Sequence, residues 1–112
     1  MTIDQIEAAG AQPGYLPGLR RITGSVTGAI LLARITYFWR LAGSTPFPKF
    51  KEPCNSDQYK AGESWTEDLG FTRREFDTAL GKLSDFVSYS RGMDRVTYYQ
   101  LDEQALNQAI NN

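Results

Sequence analysis

The sequence contains no histidine and a single cysteine among its 112 residues. Without His, neither His-based acid–base catalysis nor a Cys–His nucleophile pair can form within this chain, and the common zinc ligand sets are incomplete. With Cys54 as the only thiol, no intrachain disulfide is available, which favours a reducing cytoplasm. A glycine-rich phosphate loop, a catalytic triad and a metal-ligand spacing are also missing. We therefore expect no catalytic residue, no metal and no other cofactor, and a protein that is not an enzyme.

An excess of one charge and a long apolar run are also missing. Twelve Lys and Arg residues oppose thirteen Asp and Glu residues, for a net charge of −1. This balance argues against a protein that binds nucleic acid nonspecifically through a large positive net charge. It is compatible with a protein that contacts a DNA groove through a local basic surface. The most apolar stretch, Ala29 to Leu41, is too short to span a bilayer, and the N-terminus has acids where a secretory signal would be basic. We expect one soluble, cytoplasmic domain without membrane contact.

Residues 64–84 predict two helices joined by a tight turn. Ser64 stands three residues before Glu67, and Thr72 stands three residues before Glu75, so that each pair can form a capping box at a helix start. Between them Gly70 can adopt positive φ without steric cost, which suits the end of a short first helix. This is the layout of a DNA-binding helix-turn-helix. The apolar side chains that would fill the corner are Trp65, Leu69, Phe71, Phe76, Leu80 and Leu83.

Residues 86–101 predict a β-hairpin, because Val, Tyr and Thr flank the turn sequence RGMD at 91–94. A hairpin directly after the second helix of such a pair is a wing. Residues 102–110 then predict a short C-terminal helix. The expected fold class is mainly α with a small β-hairpin, that is α+β, as a winged helix-turn-helix.

The first half of the chain predicts an N-terminal arm at 1–23, a long helix at 25–41 and a Pro-rich loop at 43–63. Within the arm, residues 3–9 predict a short helix, and 11–19 predict a loop because of two Pro-Gly steps. The helix at 25–41 is apolar nearly all round, which is typical either of a central core helix or of a helix shared with a second subunit. In the Pro-rich loop, PFPKF at 46–50 predicts a brief edge strand.

The whole pattern resembles winged-helix proteins encoded by phages, prophages and plasmids, including the N-terminal domains of phage replication initiators. The resemblance rests on YLPGLRRITGSVTGAILLARITYFW at 15–39, on ESWTEDLGFTRREFDTALGKL at 63–83 and on TYYQLDEQAL at 97–106. It implies nucleic-acid binding, and we expect the partner to be double-stranded DNA. The segment 43–63 is longer and richer in proline than a minimal winged helix requires.

The second helix of the motif supplies the first candidate binding residues. Arg73 and Arg74 lie in its first turn, where a recognition helix contacts phosphates or base edges, and Thr78 and Lys82 fall on the same outer arc. A competing interpretation keeps this arc in solvent, with Arg73 paired to Asp77 at i,i+4 spacing.

The wing supplies Arg91 and Arg95, which can reach a minor groove or the DNA backbone, or can instead neutralise Asp94.

Lysines interleaved with aromatic residues at 47–60 form a second basic patch that is compatible with single-strand stacking. In the alternative interpretation, the aromatic side chains pack the loop against the core and the lysines remain in solvent. These lysines are Lys49, Lys51 and Lys60.

The sequence thus predicts a DNA-binding winged helix of a mobile element, acting as a transcriptional regulator or a replication accessory. A homodimer through the 25–41 helix is expected, because two half-sites multiply specificity. The alternative is a protein-interaction winged helix, for example a phage-encoded modulator of a host protein that does not bind DNA, since a fold alone does not choose between these functions.

Overall fold

A computed structural model describes the whole chain, residues 1–112, as six helices and three strands. The elements follow the order expected from the capping and turn signals, with one additional helix near the N-terminus. Their bounds are α1 Ile3–Gly10, α2 Pro17–Thr23, α3 Val26–Leu41, β1 Phe47–Pro48, α4 Trp65–Leu69, α5 Arg73–Gly81, β2 Val87–Arg91, β3 Thr97–Leu101 and α6 Glu103–Ile110.

Helix α3 is the centre of the fold. The Ser25 hydroxyl accepts a hydrogen bond from the Gly28 amide at 2.9 Å and caps the start of the helix. Eight of its 16 residues are buried, and α1, α2, α5 and β3 pack around it. The interpretation of 25–41 as a central core helix is therefore confirmed.

Helix α1 approaches α3 more closely than any side chain would allow at the contact point. A Cβ atom added at Gly10 would lie 1.8 Å from the carbonyl oxygen of Ala33. Ile3 and Ile6 are buried on the same side of α1, which begins in a capping box formed by Thr2 and Gln5. Residues 3–10 are therefore part of the core layer, and the predicted short helix is confirmed.

The loop predicted at 11–19 is wrong in its last part, because α2 begins at Pro17. Proline is well suited to the first position of a helix, where its missing N–H would have no partner and its φ is already helical. Leu19 is fully buried against the core and ties the helix down. The second Pro-Gly step therefore begins a helix and does not continue the turn.

The three strands form an antiparallel sheet in the order β1-β3-β2. Tyr99 in the central strand lies opposite Phe47 on one side and Tyr89 on the other. Phe47, Val87, Tyr99 and Leu101 are buried on the sheet's inner face. Both the predicted hairpin and the predicted brief edge strand are confirmed.

The two predicted capping boxes at α4 and α5 are both present. Ser64 accepts from the Glu67 amide and Thr72 from the Glu75 amide, while each glutamate carboxylate accepts from the cap amide in return. Gly70 ends α4 with φ of 69°. Helix α5 ends at Gly81, and turn residues lead from there to β2.

A cluster of aromatic rings holds this helix pair against α3 and the sheet. Trp65 is fully buried and stacks on Phe76 with ring centroids 5.9 Å apart, and it meets Tyr99 edge to face at 5.6 Å. Such pairs each stabilise a fold by about 0.5–1.5 kcal/mol beyond the area they bury. The chain is thus an α+β domain in which the sheet and α3 position α4 and α5. None of the helices has the length and apolar character needed to cross a bilayer.

Candidate nucleic-acid interface

The segment that follows β1 contacts both the β2–β3 hairpin and helix α5. The segment is fixed at both ends by backbone hydrogen bonds. The Lys49 amide donates to the Thr97 carbonyl in β3 at 3.2 Å. The amides of Trp65 and Thr66, which open α4, donate to the carbonyls of Phe50 and Lys51 at 2.9 and 3.0 Å. The segment therefore accepts hydrogen bonds from N–H groups at the start of α4 that have no partner within the helix. These hydrogen bonds hold the segment beside α4.

The candidate residues of α5 all project into solvent. Arg73, Arg74, Thr78 and Lys82 are exposed, whereas Phe76 and Ala79 are buried on the opposite side. The arrangement follows from the helical period, because residues three and four positions apart share a face. The side chain of Arg74 and that of Lys82 make no ion pair, so both charges are available to a ligand.

The ion pairs of α5 differ from those that the sequence suggested. The i,i+4 pair of Arg73 with Asp77 is not formed. Instead, Lys51 binds Asp77 at 2.9 Å, and Arg73 lies 3.5 Å from Glu52. Sequence reasoning missed the role of Lys51 and Glu52, because no local pattern signals a contact between the segment after β1 and α5. Arg73 is 69% exposed, and a pair this open is weak enough to exchange for a phosphate.

The tip of the hairpin leaves both of its arginines exposed and without an ion pair. The suggested pairing of Arg91 and Arg95 with Asp94 is wrong. Asp94 accepts hydrogen bonds from the Tyr98 hydroxyl at 2.7 Å and from the Val96 amide at 3.0 Å. The hydrogen bond from Tyr98 is the main cause that lowers the pKa of Asp94. The Arg91 guanidinium donates to the Arg95 carbonyl at 3.1 Å, which holds the turn together.

A cleft of about 470 Å³ separates the hairpin tip from the segment after β1. Its charged lining consists of four cations and two carboxylates, which leaves an excess of positive charge. These residues are Lys49, Lys51, Arg91, Arg95, Glu52 and Asp94. Lys51 therefore lies at the same cleft as Arg91 and Arg95, whereas Lys60, with which the sequence grouped it, does not.

The predicted basic patch at Lys49, Lys51 and Lys60 is divided by the fold. The side chain of Lys49 is only 8% exposed, so the interpretation that these lysines stay in water is wrong at this position. Lys49 lines one cleft with Phe47, Phe50 and the exposed Lys60, and it also lines the other cleft with Lys51. Lys51 and Lys60 therefore lie at different clefts, and the three lysines do not form one exposed patch.

Two exposed apolar side chains on the hairpin were also missed. Tyr89 is 60% exposed on β2, with its ring 6.0 Å from that of Tyr99, and Met93 projects fully from the tip. Burial raises the pKa of Tyr99 to about 12, so this phenol is neutral at physiological pH. Alternating apolar residues predicted the hairpin, but they did not reveal which of its tyrosines would be covered.

The face formed by α5, the hairpin and residues 49–56 can offer unpaired guanidinium and ammonium groups to an anionic polymer. No group of three or more Cys, Asp or Glu residues in the chain is arranged to hold a metal ion. Compared with models of protein families, with characterised proteins and with solved structures, the chain matches none.

Proposed function

We propose that this domain is a winged helix that binds double-stranded DNA. The order of elements supports this interpretation, because a helix, a short strand, a helix-turn-helix and a hairpin follow one another from α3 to β3. The hairpin strands and β1 share one antiparallel sheet, and the segment after β1 forms ion pairs with α5, which supports a role for the hairpin as a wing. In this arrangement α5 enters the major groove as the recognition helix.

The observation that carries the proposal is the set of cations without partners on α5 and the wing. Arg74, Lys82, Arg91 and Arg95 are exposed and form no ion pair. In the proposed complex Arg74, in the first turn of α5, binds guanine O6 and N7, and Thr78, one turn further, contacts a thymine methyl group or a phosphate. Lys82 and the wing arginines neutralise phosphates, and Arg73 joins them by exchanging Glu52 for a phosphate oxygen.

The test measures the salt dependence of binding to a fluorescent mixed-sequence duplex. Four neutralised phosphates give a slope of log K against log salt of about −3.6, and loss of one contact reduces its magnitude by about 0.9. Arg91→Ala and Lys82→Ala are expected to reduce the slope, whereas Arg74→Ala should lower affinity at low salt. Arg21→Ala in α2 is the matched control, since Arg21 is an exposed arginine outside the proposed face. Absence of binding at 50 mM salt, or an Arg74→Ala variant with unchanged affinity, would contradict the proposal.

The biological setting that the resemblance suggests is a mobile element. There the domain acts in the cytoplasm as a transcriptional regulator or as a replication accessory. A homodimer would place two α5 helices on successive half-sites. The outer side of α3 supports such a contact, because Val26 and Leu41 are exposed and Ile30 and Tyr37 between them are partly exposed. Sedimentation equilibrium over a dilution series tests the dimer, and Leu41→Asp should shift it to monomer.

A second candidate function is protein binding by the same face. The ion pairs of Lys51 with Asp77 and of Arg73 with Glu52 reduce the positive charge there, and Tyr89 offers a large exposed ring. Tyrosine is a common anchor of protein interfaces. A host protein would then be the partner of a phage-encoded modulator. Failure to retard duplex DNA, together with loss of partner affinity in Tyr89→Ala, distinguishes this function from the first.

A further inference from the structure

A second cleft, of about 510 Å³, opens between α3, β1, the segment 58–63 and α4. Its volume falls within the range of small-molecule sites, which are typically about 300–1,000 Å³. Three cations and two carboxylates line it: Arg34, Lys49, Lys60, Glu63 and Asp68. The cleft therefore carries one excess positive charge, and none of its lining residues belongs to α5.

Within this cleft the ammonium group of Lys49 has one carboxylate partner, and that contact is long. Its nearest carboxylate oxygen, Oδ2 of Asp68, is 3.5 Å away, longer than the roughly 2.7–2.9 Å of a charge-assisted hydrogen bond. Asp68 is already engaged, since its two oxygens accept from Nε and Nη2 of Arg34 at 2.9 and 3.1 Å. Glu63 forms no ion pair with Lys49, although its charge acts to raise the Lys49 pKa. Burial lowers the pKa of Lys49, because desolvation outweighs the attraction of Asp68.

The apolar part of the lining is mainly aromatic. The Lys49 nitrogen lies 4.4 Å from the centre of the Phe38 ring and 4.9 Å from that of Trp65. Phe47, Phe50 and the aliphatic Val96 complete the apolar wall, and Phe50 is only partly buried. A planar apolar group can therefore pack beside the same ammonium that an anionic oxygen would reach.

We propose that this cleft is a binding site for a small aromatic carboxylate. The carboxylate accepts from the Lys49 ammonium, which thereby gains the short hydrogen bond that Asp68 does not provide, and the ring packs on Phe38 and Phe50. Lys60 at the rim adds long-range attraction for the anion. The inference rests on the cleft alone and does not depend on whether the domain binds DNA.

The test titrates the wild-type protein with benzoate, benzamide, acetate and inorganic phosphate at constant ionic strength, and follows amide chemical shifts by NMR. Benzoate should saturate shifts at residues 47–50 and 58–63 with a Kd on the order of 1 mM for a ligand of this size. The carbonyl oxygen of benzamide can still accept from the Lys49 ammonium, but the attraction between opposite charges is lost, so benzamide should bind about tenfold more weakly or worse. Acetate and phosphate lack the ring and should not saturate the same shifts.

Three results would overturn the proposal: equal affinity for benzoate and benzamide, equal affinity for benzoate and phosphate, or no saturable shift at the cleft. Equal affinity for phosphate would mean that the aromatic wall contributes nothing. Lys49→Met keeps the apolar stem and should abolish the preference for benzoate over benzamide, whereas Arg21→Met, which removes an exposed charge on α2, should retain it. Should Lys49→Met fail to fold, the comparison of ligands on the wild-type protein decides the question.

Discussion

Replacing Asp68 by Asn tests how the helix pair is held against the core. Asp68 lies in α4 and binds Arg34 of α3 through two hydrogen bonds, and it is the only carboxylate within ion-pair distance of Lys49. Arg34 also donates to the carbonyls of Gly10 and Ala11 at 2.9 and 2.8 Å, at the end of α1. A single carboxylate therefore neutralises two cations where α1, α3 and α4 meet.

The expected cost of Asp68→Asn is about 3 kcal/mol in the free energy of unfolding. Removing one partner of a buried ion pair typically costs about 3–5 kcal/mol, because the remaining charge stays desolvated. The side chains of Arg34 and Asp68 are each 13% exposed, so some solvent reaches the pair and the lower end of this range applies. For a domain of this size the corresponding fall in Tm is roughly 10–20 °C.

Urea unfolding followed by tryptophan fluorescence measures this cost through the midpoint of the transition. The slope of the free energy with urea should stay unchanged, since the same surface is exposed on unfolding. Asp57→Asn is the matched control: Asp57 is exposed and forms no ion pair, so its replacement should stay within about 0.5 kcal/mol of wild type. Equal midpoints for Asp68→Asn and Asp57→Asn would refute the view that the Arg34–Asp68 contact fastens α4 to α3.

Two further predictions concern the helix-turn-helix. Gly70→Ala should destabilise the domain by about 1 kcal/mol, because alanine is strained at φ of 69°, whereas Gly81→Ala meets open space at the end of α5 and should be neutral or stabilising in thermal unfolding. The pKa of Glu67 is lowered to about 2, chiefly by the hydrogen bond from the Tyr59 hydroxyl. A lowered folded-state pKa stabilises the fold above the unfolded value, about 4.5, and this gain is lost as pH falls toward 2. The difference in stability between wild type and Glu67→Gln should therefore shrink over that pH window, which urea midpoints measured at a series of pH values will show. Glu75→Gln controls for the loss of a capping carboxylate. A difference that does not change with pH would contradict the view that the lowered pKa of Glu67 stabilises the fold.

Much of the fold was predictable, because its signals are local. The capping boxes of α4 and α5 each join residues three positions apart, and the positive φ of Gly70 follows from the need to end one helix just before the next begins. Residues 11–19 show where local reasoning failed. Pro17 is compatible with both a turn and a helix start, and burial of Leu19 against the core favoured the helix.

The outer arc of α5 was equally predictable, since helical period alone sets which side chains share a face with Phe76. The partners of those side chains were not. Arg73 meets Glu52 and Asp77 meets Lys51 because backbone hydrogen bonds fix the segment after β1 beside α4. No spacing rule connects residues so far apart along the chain.

By itself, the sequence determined where the helices and strands other than α2 lie along the chain, which faces are apolar, and which chemistries lack their residues. These properties depend on hydrogen bonds and periodicities within a few positions. Tertiary structure decided the electrostatics: it buried Lys49, left Lys60 in solvent, and joined Arg34 to Asp68 across 34 residues. The reason is physical, because the energy of a charge depends on its desolvation and on its neighbours in space, and both exist only once the chain has packed.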